Sequence, residues 1–139
     1  MNPEILGRLA AALLIIAGGL LAFRVVNVGL LRRRSTGERP RGLEEARPGV
    51  PAILYFTTPD CAPCRAVQRP ALALVKARLG DGLQIVEVDC TQRPELADYW
   101  GVLSVPTTFI IDSQGRPRHV NHGVTPAEKL LFQIENTRS

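Results

Sequence analysis

Cys61 and Cys64, in the run Cys61-Ala62-Pro63-Cys64, are the residues of this chain best suited to chemistry. They follow a strand-like run, Ala52 to Phe56, and open a helix-like one, Arg65 to Leu79. At a helix N-terminus the unpaired backbone N–H groups and the helix dipole stabilise an anion, so a thiol placed there becomes more acidic. The thiolate is the form that attacks disulfides. Its partner three positions on lies on the same helical face, within reach to close a bond. The pair therefore reads as a dithiol/disulfide couple. The competing reading, half of a zinc site, needs Cys90, His119 and His122 to converge from distant elements, and His-x-x-His is not the usual spacing. No metal and no other cofactor is expected. Cys90 reads as a small core residue, and His122, before Gly123, as a solvated turn residue.

The elements that must hold this pair alternate strand and helix. Ala52 to Thr57 (AILYFT) is a buried-strand run, and Cys61 to Leu79 is helical. That helix has Val67, Leu72, Leu74, Val75 and Leu79 as its apolar side and Pro70 to kink or interrupt it. Gly80-Asp81-Gly82 is a turn, Leu83 to Asp89 a second strand, and Pro94 to Trp100 a short helix ended by Gly101. Tyr99 and Trp100 read as a cap on the core. Thr107 to Asp112 is a third strand, turned by Ser113-Gln114-Gly115 into Arg116 to Asn121 as its hairpin partner. Thr125-Pro126-Ala127-Glu128 carries the pattern of a capping box opening a last helix, with Leu130, Leu131 and Ile134 on its core side. The order β-α-β-α-β-β-α makes the fold class α/β.

A length of 139 residues allows one domain and a modest extension. Composition, 45% hydrophobic and 22% charged, fits a folded chain. Three cysteines are too few for a disulfide scaffold. The formal charge of +4 is unevenly spread: residues 1–49 hold eight arginines and four carboxylates, residues 50–139 nine cations and nine carboxylates. The domain itself carries no basic footprint for nucleic acid.

The N-terminal arm reads as a membrane segment. Ile5 to Leu31 is almost entirely apolar, broken by Arg8, Arg24 and Asn27, and its cleanest core runs from Leu9 to Phe23. A span needs about 20 apolar residues. Arg24 can snorkel to the interface, letting Val25 to Leu31 extend the helix into lipid until Arg32-Arg33-Arg34 stops it. A cleaved signal peptide competes with this reading. Against it, Glu4 lies near the start, and the small-residue candidate Ala17-Gly18-Gly19 sits inside the apolar run. Arg8 alone precedes the core, whereas Arg24, Arg32, Arg33, Arg34, Arg39 and Arg41 follow it. The positive-inside rule then leans toward a cytoplasmic C-terminal side, with an extracytoplasmic domain as the alternative. Residues 35–50, rich in Pro, Gly and charge, read as a flexible linker that buries no core. The expected organisation is thus an anchor over 1–34, a linker over 35–50 and a domain over 51–139.

Residues 50–139 resemble the thioredoxin family. The resemblance rests on Cys61-Ala62-Pro63-Cys64, on Val105-Pro106-Thr107 opening the third strand, on Gly101 before that loop, and on Gly115 and Gly123 at the later turns. It implies a thioredoxin-like fold: a four- or five-stranded mixed sheet flanked by helices, with the cysteine pair at the end of the first matching strand. It also implies that Pro106 follows a cis peptide bond and packs beside Cys61. The backbone of Val105 would pair with an extended substrate segment. The chain departs from the family pattern in several places. Asp60 stands where a tryptophan is usual, and a carboxylate there opposes thiolate formation on Cys61. Tyr55 stands where the family holds a buried carboxylate, and Ile85 where it holds a lysine, so resolution by Cys64 needs another proton acceptor, water or, more weakly, the Tyr55 hydroxyl. The N-terminal strand and helix of the family are missing, which leaves Leu83–Asp89 as a sheet edge with Glu87 to blunt it.

The resemblance implies a thiol–disulfide oxidoreductase in which Cys61 attacks a substrate disulfide and Cys64 resolves the mixed disulfide. The expected partners are disulfide-containing proteins, an electron donor or acceptor, and membrane lipid along residues 5–31. Pro63 is similar to the residue of reducing members and favours reduction. The alternatives are an extracytoplasmic oxidase, isomerase or client-specific maturation factor, and an anchored adaptor without catalysis.

Overall fold

The computed structural model describes residues 2–33 and 39–138, with side chains described through Val25 and from Arg39 on. Two compact units divide at Glu38/Arg39.

The first unit contains helix α1, Pro3–Arg33. Within its stretch from Pro3 to Val25 an 18-residue segment reaches a mean hydropathy of 2.2, and none of that segment is buried. From Pro3 to Val25, Leu and Ile project all round it, so this part of the helix offers no polar side to water. Its 23 residues rise about 35 Å, enough for a hydrocarbon core of about 30 Å. The helix is long and apolar enough to span a membrane, and a signal sequence meets the same criterion.

The second unit is a four-stranded mixed sheet flanked by helices. Its strands are β1 (Ala52–Thr57), β2 (Gln84–Asp89), β3 (Thr107–Ile111) and β4 (Pro117–His122). The spatial order is β2-β1-β3-β4. β1 runs parallel to β2, with Tyr55 opposite Glu87, and antiparallel to β3, with Tyr55 opposite Thr108. β3 and β4 pair antiparallel, with a register irregularity at Ile110/Ile111. The Asp112 carboxylate fixes their turn by accepting the backbone N–H groups of Gln114 and Arg116 at 2.9 Å each. β2 is a sheet edge, as the missing first unit of the family pattern implies. Its Glu87 is half exposed and paired with Arg69 at 2.8 Å, a surface pair worth about 0–1 kcal/mol.

Alternation along β1 sends Ile53 and Tyr55 to one face and Leu54 and Phe56 to the other. The first face packs against α2 (Arg69–Leu79) and α4 (Ala127–Thr137) through Leu72, Val75, Leu130, Leu131 and Ile134. The second packs against α3 (Pro94–Trp100) through Leu96 and Trp100. Gly101 closes α3 in the left-handed region, φ +69°, a conformation that costs glycine nothing.

Three expectations need correction. From Arg39 on, the stretch read as a linker docks on the α3 face of the sheet, and Leu43 is buried there at 3% exposure. The Trp100 indole N–H donates to Arg41 O (2.8 Å). The Gln84 amide accepts from Arg47 N–H and donates to Arg47 O and Val50 O. One leucine among charges suffices, because Leu54, Phe56 and Leu96 offer it an apolar face; residues 34–38 lie outside the described ones. Second, Val67 and Leu74 are half exposed rather than inward. The inward side is Cys64, Gln68, Leu72 and Val75, because a π-helical turn over Cys64–Gln68 precedes α2 and Pro70 falls in the first turn of α2. Third, α4 begins after Pro126 and no side chain caps it. The Thr125 N–H is taken by Gln68 and its hydroxyl donates to Gly123 O, so the capping-box pattern is not used.

Candidate functional site

β1 ends at Thr57, and the chain turns through Thr58, Pro59 and Asp60 into the helix that carries both cysteines. Two bonds hold this turn. The Cys61 N–H donates to Thr58 O (3.2 Å), and the Arg65 guanidinium donates back to Pro59 O (2.7 Å). Cys61 and Cys64 form a disulfide, with their Cα atoms 5.3 Å apart. The backbone N–H of Cys64 points at Cys61 Sγ, 3.2 Å away. A charge on Cys61 sulfur would therefore meet a helix-terminal N–H donor, which stabilises a thiolate. Cys61 is 7% exposed and Cys64 fully buried. That asymmetry suits an attacking outer sulfur and a shielded inner one.

Two further segments come to this end of the sheet. The Val105–Pro106 peptide bond is cis. Pro106 is buried, and Val105 packs against the cluster that holds the cysteines. The Gly123 N–H donates to Pro106 O (2.8 Å), which ties the loop after β4 to the proline. Gln68 then ties the same loop to the cysteine helix: its fully buried amide donates to Thr125 O (3.1 Å) and accepts Thr125 N–H (2.8 Å). Gln68 was not singled out in the sequence, where a polar residue between Val67 and Arg69 gives no signal of burial.

The remaining candidates separate. Pro63 and Asp60 are exposed beside the pair, and no ion pair among the described residues involves Asp60. His122 ends β4, exposed, one residue before the Gly123–Pro106 bond. His119 lies further along β4, opposite Ile110. Among the described residues no group of three His, Cys, Asp or Glu is placed to hold a metal. Cys90 follows β2, its N–H donated to Thr57 O (2.9 Å), and it packs with the α3-side cluster, not with the disulfide. Burial, and then the charge of Asp89, push its thiol up from the ordinary value.

Tyr55 is the unusual member of the site. It is fully buried in the same cluster as both cysteines. Its hydroxyl is the one buried side-chain nitrogen or oxygen among the described residues that has no hydrogen-bond partner. A buried unpaired hydroxyl costs about 1–3 kcal/mol.

The comparisons agree with this geometry. The family model described as Thioredoxin matches residues 45–136. Thioredoxin Y, chloroplastic, of Oryza sativa subsp. japonica is 35% identical over 86 residues, which are 62% of this chain and 50% of that protein. The chain thus spans half the length of that relative. Thioredoxin of Bacillus subtilis (strain 168) is 33% identical over 86 residues, covering 62% of this chain and 80% of the other. Among solved structures, a thioredoxin-like protein from Clostridium perfringens is similar with a TM-score of 0.60 and 25% identity, over 68% of this chain and 76% of the other.

Proposed function

The chain belongs to the thioredoxin family, and from that membership we propose that it reduces protein disulfides through Cys61 and Cys64 while tethered to a membrane by α1. The observation that carries the chemistry is the pair itself: a barely exposed sulfur at a helix start, backed by a buried one at bonding distance. Cys61 thiolate attacks a substrate disulfide, forming a mixed disulfide and releasing one substrate thiolate. Cys64 thiolate then attacks Cys61 Sγ, closing the intramolecular bond and releasing the second. The oxidised pair needs two electrons from a donor dithiol to return. The exposed rim of Pro63, and the edge formed by Val105 before the buried proline, are where an extended substrate segment would lie. Reduction rather than oxidation is favoured by Pro63, through its likeness to reducing members. The equilibrium direction follows the potential, about 30 mV per 1.4 kcal/mol.

The test is insulin disulfide reduction by the full chain in detergent micelles, with dithiothreitol as donor. Cys61→Ser is expected to abolish turnover; unchanged turnover would remove Cys61 from the mechanism. The tether reading rests on the apolar length of α1, and the flanking arginines favour a cytoplasmic domain. A membrane-impermeant maleimide applied to intact cells after mild reduction should leave the cysteines unlabelled until lysis. Labelling before lysis would put the domain on the other side, where an oxidase or a maturation factor becomes the better reading.

A further inference from the structure

The sheet order leaves one side of β2 without a neighbouring strand. The register shows what that side presents. The Gln84 N–H donates to Pro51 O (3.1 Å) and the Cys90 N–H to Thr57 O (2.9 Å). In a parallel ladder successive residues turn their backbone groups alternately to the two sides of the strand. Gln84, Val86 and Val88 therefore bond to β1, and Ile85 and Glu87 turn both N–H and C=O outward. The arm docks at the start of β2, on the Gln84 side chain. Among the described residues no backbone group of the arm bonds to Ile85 or Glu87. Edge strands are commonly blunted by a bulge, a proline, a lysine or very short length. β2 is six residues long, in unbroken register with β1, and carries none of these; its only charges are Glu87 and Asp89.

Beside this edge runs a groove of about 810 Å³, walled on its other side by the arm. Its charged lining is Glu44, Glu45, Glu87 and Asp89 against one cation, Arg93, which is itself paired with Glu95 at 3.0 Å. Glu44, Glu45 and Asp89 are in no ion pair among the described residues. The Gly42 N–H bonded to Glu44, and the Thr91 hydroxyl and N–H bonded to Asp89, hold both carboxyls below their ordinary values, so both stay charged.

We propose that the β2 edge docks an extended, lysine- or arginine-bearing segment of a partner protein, which joins the sheet as a further strand. Backbone bonds to Ile85 and Glu87 hold the segment, and the carboxylates select its charge. A second copy of this chain fits less well, because two β2 edges would bring the same carboxylates face to face. The site lies across β1 from β3 and the Val105 loop and uses no cysteine, so it goes beyond the exchange reaction. Asp89 lies opposite Thr57, just before the turn to Cys61, so the docked segment would end on the disulfide side of the sheet.

The experiment follows amide hydrogen exchange by NMR in the oxidised full chain in micelles of an uncharged detergent. The probe is the capped hexapeptide acetyl-Lys-Val-Lys-Thr-Lys-Val-amide. At about ten times its Kd, exchange of the Ile85 and Glu87 N–H groups is expected to slow about tenfold, because only the free fraction exchanges. The Val86 N–H, already turned to β1, should change little. A twin with Glu for every Lys, and a twin N-methylated on its two central residues, are expected to protect neither amide. Glu44→Gln combined with Glu45→Gln should weaken the Lys peptide about threefold, two exposed charge contacts being lost. Unchanged exchange at Ile85 and Glu87 in millimolar Lys peptide would overturn the proposal. Protection by the Glu twin would remove the charge selection, and protection by the methylated twin the strand pairing; either overturns it. Protection of the same amides on concentrating the chain without peptide would give the edge to a second copy instead. The readout needs no turnover, so it stands or falls separately from the insulin assay on Cys61→Ser.

Discussion

Toward α3 and the Arg39–Val50 arm, the sheet presents Leu54, Phe56, Phe109 and Ile111; toward α2 and α4 it presents Ile53, Tyr55 and Ile110. Both faces are mainly apolar, though the second also buries Thr108, Asn121 and Gln133, which hydrogen-bond to one another, and the two faces treat polar atoms differently. On the α3 face the Trp100 indole N–H finds Arg41 O, and aromatic rings interlock, Trp100 with Phe109 at 4.8 Å and Phe56 with Phe109 at 5.8 Å. On the other face the Tyr55 phenol is buried without a partner, in the cluster that also holds the disulfide. The first face is finished as packing. The second retains an unmet donor, which a purely structural core would be better without. The cysteines divide in the same way: Cys90 lies against the α3 face, its thiol pushed up from the ordinary value by burial, and Cys61 and Cys64 lie on the other.

This division predicts that the α3 face can be damaged without touching the chemistry. Phe56→Ala should have the largest effect on stability, about 3–5 kcal/mol by urea unfolding. The reduction potential of the Cys61–Cys64 pair, measured in the folded variant against glutathione, should stay at its wild-type value. A potential that moves with Phe56 would break the distinction between the faces.

Gln68→Ala sits on the reactive side and should affect both properties. Removing the amide leaves the Thr125 N–H and C=O buried and unpaired, a loss of about 1–3 kcal/mol. It also unties the turn after Cys64 from the loop bonded to Pro106, so insulin reduction should slow at temperatures well below the melting point. Loss of stability with full activity would show the clip to be structural alone.

The smallest effect concerns Cys90. In the oxidised chain it is the free thiol. Burial and the Asp89 charge disfavour its thiolate, so alkylation by iodoacetamide should rise with pH along a curve displaced above that of an unperturbed cysteine. Asp89→Asn removes the lesser cause and should bring the curve part of the way down, without changing insulin reduction. A shift in reduction rate would connect the two faces through the end of β2.

Most of the element order was legible in residues 52–137, because continuous apolar runs such as AILYFT and turn residues such as Gly101 and Gly115 act locally. The cysteine pair was legible for the same reason: its chemistry depends on two spacings, to each other and to a helix start. The apolar length of α1 is likewise a property of composition. The burial of Leu43 was not legible, since a lone leucine among Arg, Gly and Glu has no periodicity; only the apolar face formed by β1, β3 and α3 makes burial favourable. Nor was the inward turn of Gln68, which a π-helical turn before Pro70 sets and which Thr125, 57 residues away, satisfies. The sequence by itself determined which groups this protein has for disulfide chemistry and the strand and helix that carry them. Only the tertiary structure decided which of their polar atoms would be met and which left unmet, because a hydrogen bond between distant segments depends on the packing of both and is written in neither.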